Sequence, residues 1–289
     1  MTDRSDFLAV DWGTTNRRFF IFSGGRLAYS ERDGLGIRAI RPGGYPNAIA
    51  ELRSRFPGLP MILAGMVGSN RGWIDAGYVD APTDLAALAR RALRPEEDIL
   101  LIPGVRWMGG PRADVMRGEE VQILGAAVSG LAPPDGLLCQ PGTHCKWAQL
   151  SDGRLDRFTT AMTGEMFALL REHALIGDAL QGDVRPDVDF RRGVADSEAG
   201  DLLGALFSIR PGAMLGTEPG RSWASYASGL LIGADCRAHA KAETIYLLAD
   251  DKLGSLYAEA LASMGIASRL TDSHAAFAAG IAYIWEQVE

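Results

Sequence analysis

Residues 7–27, FLAVDWGTTNRRFFIFSGGRL, and residues 137–155, LLCQPGTHCKWAQLSDGRL, are built alike. In each, a short apolar run ends in a polar residue, Gly-Thr follows, a second run leads away, and Gly-Arg-Leu opens a third. Gly13-Thr14 corresponds to Gly142-Thr143, and Gly25-Arg26-Leu27 to Gly153-Arg154-Leu155, with one residue fewer in the later copy. Apolar runs separated by polar Gly/Thr turns predict a β-hairpin followed by a third strand. One such unit present twice predicts two related lobes, since a solenoid needs at least three repeats.

Outward from these hairpins, apolar runs alternate with helical periodicity. The first half predicts a helix over 45–56, a strand over 61–64, a helix over 83–93 and a strand over 98–102. The second half predicts a helix over 164–175, a strand over 244–249, a helix over 253–264, a strand over 266–270 and a helix over 273–287. Alternating strands and helices place the chain in the α/β class. The seam is expected at 116–120, giving lobes 1–116 and 117–289. Residues 181–201, rich in Asp, Arg and Gly, read as a surface excursion or helix connection without chemistry.

The composition excludes several functions. The 289 residues are 47% hydrophobic and 22% charged, which is a chain that buries a core. Lys and Arg total 29 against 36 Asp and Glu, a net charge of −7, with arginines scattered; nucleic-acid binding is disfavoured. The start, MTDRSDF, has no apolar signal region, and no run reaches the roughly 18 apolar residues of a membrane span, so the expectation is a cytoplasmic protein away from the membrane. Cys139, Cys145 and Cys236 are odd in number and lack CxxC spacing, against both a disulfide framework and a structural zinc site.

The turn DWGTTNRR at 11–18 sits at a strand end. Gly13 lets the backbone approach a ligand, and Thr14, Thr15 and the turn's N–H groups suit phosphate oxygens. Asp11 offers a hard oxygen ligand to Mg²⁺, directly or through water. An ordinary hairpin turn would use the same residues. The second turn, PGTHCKW at 141–147, mixes histidine, cysteine and lysine. No paired histidine spacing supports a metal site. Cys145 alternates with His144 and Lys146 along a strand, so the thiol is expected in the core and the two cations on the opposite face. The stretch reads as a second phosphate loop of Gly142 and Thr143, with Lys146 or His144 adding positive charge near the transferred group or the substrate carboxylate.

No GxxxxGK[ST] stretch occurs, and GLGIRAI from Gly34 begins like a dinucleotide fingerprint without its last glycine. Glu119 and Glu120 open an amphipathic run. They serve either a helix N-terminus, which favours carboxylates, or proton acceptance from an attacking hydroxyl. In AGMVGSNRGW at 64–73, Ser69 and Asn70 suit sugar hydroxyls and Trp73 an apolar sugar face, against the alternative of a Gly-rich turn on a buried Trp. Arg18, Arg71 and Arg112 could pair with a substrate carboxylate.

DWGTTNRR, LAGMVGSNRGW, PGVRWMGGPRADVMRGEEVQILGA, LCQPGTHCKW, MTGE at 162–165 and SGLLIGAD at 228–235 resemble, in order, the motifs of the 2-dehydro-3-deoxygalactonokinase family, over residues 7–285. The resemblance implies two ribonuclease-H-like (actin-like ATPase) lobes with a central ATP and substrate cleft. It implies ATP- and Mg²⁺-dependent phosphorylation of the 6-hydroxyl of 2-dehydro-3-deoxy-D-galactonate, a step of galactonate catabolism feeding an aldolase. On it, the first lobe carries the first phosphate loop (Asp11, Gly13, Thr14, Thr15) and the sugar-acid site, with Arg18, Ser69, Asn70 and Trp73. The second carries the second phosphate loop, Gly142, Thr143 and His144, with Lys146 beside it, and binds adenosine. His144 and Glu165 join the substrate contacts and Gly229 the nucleotide contacts. Glu119 is the first choice of base, followed by Glu120. A homodimer is compatible with this picture. Where relatives tend to read Gly-x-Ser after the 245–249 strand, this chain has Ala249-Asp250-Asp251-Lys252. The competing readings are another acidic-metabolite kinase of the superfamily, such as an actin-like pantothenate kinase, or a non-catalytic sugar sensor on the same scaffold.

Overall fold

The computed structural model describes residues 6–288. The stretch MTDRS, which belonged to the signal-segment reading, lies outside them. By contacts the chain divides into two compact units. The first comprises the residues up to Pro134, Ser151–Arg157 and those from His274 onward; the second comprises Asp135–Leu150 and Phe158–Ser273. The expected seam at 116–120 therefore differs from the observed division, because residues 117–134 and the last helix pack into the first unit.

The first unit contains β1 (Phe7–Trp12), β2 (Arg17–Ser23), β3 (Arg26–Asp33), α1 (Tyr45–Arg55), β4 (Met61–Gly65), β5 (Tyr78–Asp80), α2 (Leu85–Arg91), β6 (Leu93–Glu96), β7 (Ile99–Leu101), β8 (Gly104–Trp107), β9 (Asp114–Met116) and α3 (Glu119–Val128). Its main sheet runs β3-β2-β1-β4-β7-β6, and β5-β8-β9 form a small second sheet. β1 pairs antiparallel with β2, Val10 opposite Phe19, and parallel with β4, Val10 opposite Leu63. All six residues of β1 are buried, as a central strand covered on both faces requires. On one face Leu8, Val10, Trp12, Leu63 and Leu101 pack with Ile49 and Leu52 of α1. On the other, Phe7 stacks on Trp285 at 4.7 Å and Phe20 meets Phe277 at 4.7 Å.

The helix expected over 83–93 is shorter than its periodicity suggests. Asp84 caps it, accepting from Ala87 N at 2.8 Å, and Leu93 pairs with Leu101 as a strand. β6, β8 and β9, like β5, are too short to show an alternation in sequence.

The second unit contains β10 (Gly136–Gln140), β11 (Cys145–Ser151), β12 (Arg154–Ala161, whose start is grouped with the first unit), α4 (Thr163–His173), α5 (Val188–Asp196), α6 (Leu202–Leu215), α7 (Trp223–His239), β13 (Thr244–Leu248), α8 (Asp251–Ser263) and β14 (Ala267–Thr271); α9 (Ser273–Val288) then returns to the first unit. The sheet order is β12-β11-β10-β13-β14. Numbered within each unit, the strands run 3-2-1-4 and then one further parallel strand in both, so the sequence repeat is a repeat of topology. Within residues 181–201, read as a surface excursion or helix connection, α5 is a packed helix: its Phe190, Gly193 and Val194 are buried against α7. A side chain on Gly193 would place its Cβ 2.1 Å from Tyr226 O, and one on Gly229 would meet Phe190 O at 2.1 Å. Paired glycines let the two helices touch backbone to backbone. Among the described residues no helix is long and apolar enough to cross a membrane.

Candidate active site

In the first unit, the ends of β1 and β4 and the start of α3 converge. Trp12 pairs with Gly65 across the parallel ladder. Gly65 has φ of 91°, and a Cβ there would lie 2.8 Å from Trp12 O and 3.2 Å from Asp11 Oδ1. Gly118 has φ of 102°, and its Cβ would lie 3.1 Å from Gly65 Cα. Both positions need glycine twice over, for the backbone conformation and for the close approach. Their bareness brings the helix start carrying Glu119 and Glu120 onto the strand end carrying Asp11.

The two glutamates differ. Glu120 is fully buried; both its oxygens accept from Gly118 N, at 2.8 and 2.7 Å. Burial, reinforced by the neighbouring charge of Glu119, pushes its pKa up to about 8. Glu119 is half-buried, and its Oε2 accepts from Arg117 N at 3.0 Å. Asp11 is buried and paired with Arg18 through Oδ2. Arg18 therefore neutralises Asp11 in this structure instead of standing free for a substrate carboxylate.

The first loop is held from behind. The carbonyls of Thr15, Gly13 and Thr14 accept from the N–H groups of Gly36, Ile37 and Arg38 at 2.9, 3.0 and 3.1 Å. A Cβ on Gly36 would sit 2.3 Å from Thr15 C. The GLGIRAI stretch thus supports the loop by occupying its carbonyls, while the Gly13 N–H donates within the turn to Asn16 O at 2.9 Å.

In the 66–78 segment, Ser69 is occupied by its own turn: Oγ donates to Met66 O at 2.7 Å and accepts from Arg71 N at 3.2 Å. Trp73 is half-buried against the first core. Asn70 and Arg71 are exposed, as is Arg112.

In the second unit, the 142–144 loop lies on the start of α4. Glu165 N donates to Thr143 O at 2.9 Å, and a Cβ on Gly164 would strike Gly142 O at 2.3 Å. His144 Nε2 is 2.7 Å from Glu165 Oε2, which couples the two residues expected to meet substrate. Cys145 is fully buried, 3.5 Å from Cys139 Sγ, and burial pushes both thiols up. Lys146 does not share the exposure of His144: it is buried and donates from Nζ to Thr160 Oγ1 at 2.9 Å. Behind this loop lies a cavity of about 310 Å³. Phe167, Val184, Leu231, Ile232, Leu253 and Leu256 form its apolar wall, with Gly142, Thr163, Ser228, Asp250, Lys252 and Tyr257 adding polar groups. One carboxylate beneath it organises three elements. Asp235 accepts from Trp147 Nε1 at 2.8 Å, Thr163 Oγ1 at 2.7 Å and Tyr257 OH at 2.9 Å.

The model of the 2-keto-3-deoxy-galactonokinase family matches residues 11–284. The chain belongs to that family. As a 2-keto-3-deoxy-galactonokinase family member it is a sugar kinase, a phosphotransferase with an alcohol group as acceptor. It is 33% identical over 282 residues to the 2-dehydro-3-deoxygalactonokinase of Escherichia coli (strain K12), covering 95% of this chain and 96% of that one. A crystal structure described as a candidate 2-dehydro-3-deoxygalactonokinase from Sinorhizobium meliloti superposes with a TM-score of 0.89 at 32% identity, over 96% of this chain and 97% of that one. Component A of the (R)-2-hydroxyglutaryl-CoA dehydratase of Acidaminococcus fermentans, at 10% identity, covers 98% of both chains with a TM-score of 0.51. That likeness concerns fold alone, the actin-like α/β architecture that the family resemblance implied; the hairpin repeat by itself predicted only two related lobes.

Within this family member, one expected contact is corrected. Gly229 is buried in α7 against the α5 backbone, so it serves the helix crossing and is closed to a phosphate. From the same motif the cavity is lined by Ser228, Leu231 and Ile232. The Asp250 departure has a local reason: its carboxylate caps α8, accepting from Leu253 N at 2.9 Å. Sequence reasoning missed the 182–184 wall of the cavity and the Asp235 hub. The hub's only signal was an acidic residue directly after the apolar run Leu230–Ala234.

Proposed function

We propose that this kinase transfers the γ-phosphoryl group of ATP to the 6-hydroxyl of 2-dehydro-3-deoxy-D-galactonate, within galactonate catabolism. The observation that carries the reading is Glu119, half-buried at the start of α3, where Gly65 and Gly118 bring that start onto Asp11. The names of the 33% identical relatives supply the acceptor.

In this reading Glu119 accepts the proton of the attacking hydroxyl, and Glu120, held by Gly118, fixes the helix start that presents it. The Thr14–Thr15 end of the first loop, on the turn that the Gly13 N–H closes, and the 142–143 loop receive phosphate oxygens. The cavity of the second unit takes the adenosine, its apolar wall meeting the base. Arg18, Asn70, Trp73, His144 and Glu165 are the acceptor contacts proposed; Ser69 and Lys146 act one step back, by holding the turn and the strand beside them.

Mg²⁺ fits Asp11. The carboxylate is buried at a strand end, carries one cation already, and lies beside bare glycine backbone, while no cluster of three metal-binding side chains exists among the described residues. A single carboxylate plus substrate phosphates is the usual Mg²⁺ environment. Bound there, the ion would supply charge neutralisation on the β- and γ-phosphates. Asp11 would hold it in place of the pairing with Arg18.

An ADP-release assay across 2-dehydro-3-deoxygalactonate, its gluco epimer, other sugar acids and pantothenate tests the proposal. The expected result is turnover with the galacto acid at the highest kcat/KM. Preference for pantothenate would replace the acceptor, and no turnover with any compound alongside retained sugar binding would favour a sensor.

A further inference from the structure

The structure contains a cation without an adequate partner. Arg117, directly before Gly118, has a side chain only 4% exposed. Its Nη2 donates to Gly77 O at 2.9 Å, and its guanidinium lies 4.4 Å from the centroid of the Tyr78 ring. Its Nε and Nη1 groups are buried with no acceptor among the described residues. The nearest counter-charge, Asp75 Oδ1, is 3.7 Å away on a side chain 54% exposed, and water weakens such a pair. Gly68 leaves the neighbourhood of Nη1 clear: a Cβ there would lie 3.2 Å from that nitrogen.

A buried charge with two unused N–H groups destabilises the fold unless another group satisfies it. A carboxylate is the matching ligand, since a guanidinium gives it strong charge-assisted hydrogen bonds. The position fits an acid phosphorylated at its far end. The backbone N–H of Arg117 holds Glu119 Oε2, whereas its guanidinium, at the end of a long stem, reaches Gly77. Proton acceptance and anion recognition are thus separated by about the length of one arginine side chain.

We infer that Arg117 is the residue that recognises the carboxylate of the sugar-acid acceptor, an inference that rests on the acceptor proposed above. Nε and Nη1 are closed off in this structure behind Gly77 and the Tyr78 ring, so acceptor binding has to open the surroundings of this guanidinium.

The test compares the acid with its C1 carboxamide as acceptors for the wild type, Arg117→Met and Arg117→Lys, each checked for folding by thermal melting. The readout is the ratio of the two kcat/KM values. A merely structural loss lowers both and leaves the ratio alone. The expected result is a ratio reduced about 10- to 100-fold in Arg117→Met, through the KM for the acid, with the KM for ATP unchanged. Arg117→Lys keeps a charge but loses the planar donors, and its ratio falls by a smaller factor; this variant carries the test if the methionine protein does not fold. An unchanged ratio in a folded variant, or a loss confined to the KM for ATP, overturns the role of Arg117. A wild type inactive on the acid overturns the acceptor and this inference with it.

Discussion

The backbone N–H of Gly118 donates to both carboxylate oxygens of Glu120, two residues further along, at 2.8 and 2.7 Å. This clasp turns Glu120 inward and leaves Glu119 as the more accessible of two adjacent acids at the same helix start. Glu119→Gln is expected to lower kcat by about 10²- to 10⁴-fold, the usual contribution of a general base. Nucleotide affinity, measured by equilibrium titration, stays near wild type. Glu120→Gln retains turnover within about tenfold, since an amide oxygen can still accept from Gly118. If the two effects are exchanged, Glu120 is the base.

The same carboxyl should make stability depend on pH. Its folded pKa of about 8 stands above the ordinary 4.5. Between these values the folded chain holds a proton that the unfolded chain releases, so stability declines as pH rises through that window and the contribution is gone above it. Urea denaturation at several pH values should show the wild type losing more stability between about pH 5 and pH 8 than Glu120→Gln does. Parallel curves would mean that Glu120 is ionised when buried.

Gly229 separates packing from ligand binding. A methyl group there would sit 2.1 Å from Phe190 O, so Gly229→Ala forces α5 and α7 apart at a cost of about 1–3 kcal/mol, read as a fall in Tm. The KM for ATP is expected to be unaffected. A raised KM at unchanged Tm would return Gly229 to the nucleotide site.

Ser228 lines the cavity of the second unit and leaves room for a larger side chain only at the cavity's expense. Ser228→Phe is expected to raise the KM for ATP at least about tenfold, as a bulky group occupies the pocket that would take the adenosine. The KM for the sugar acid should not follow. Equal increases for both substrates would place adenosine elsewhere.

The parts of this molecule that a reader of the sequence can find are those written in local chemistry. The Gly-Thr turns of both hairpins are visible because turn residues act on their immediate neighbours, and the inward Cys145 follows from alternation along one strand. What stays hidden depends on partners distant in sequence. Gly193 and Gly229 are ordinary helix residues until α5 and α7 cross. Lys146 looks like an exposed cation until Thr160 meets it. β5 and β9, three residues each, are too short to display a period. The seam was misplaced for the same reason, since nothing near residue 117 announces that α3 will pack against α9.

That last contact has a consequence for synthesis. Gly125 and Gly280 would each clash with the facing backbone if they bore a Cβ, at 2.0 Å from Ala276 O and 2.2 Å from Val121 O, so α3 rests directly on α9. On the ribosome, α3 emerges about 150 residues before its support, and domains otherwise complete themselves in the order they are made. Here the unit begun first is finished last. The helix start bearing Glu119 gains its backing only once α9 has been made, so a nascent chain that stops before α9 would leave α3 without the backbone it rests on.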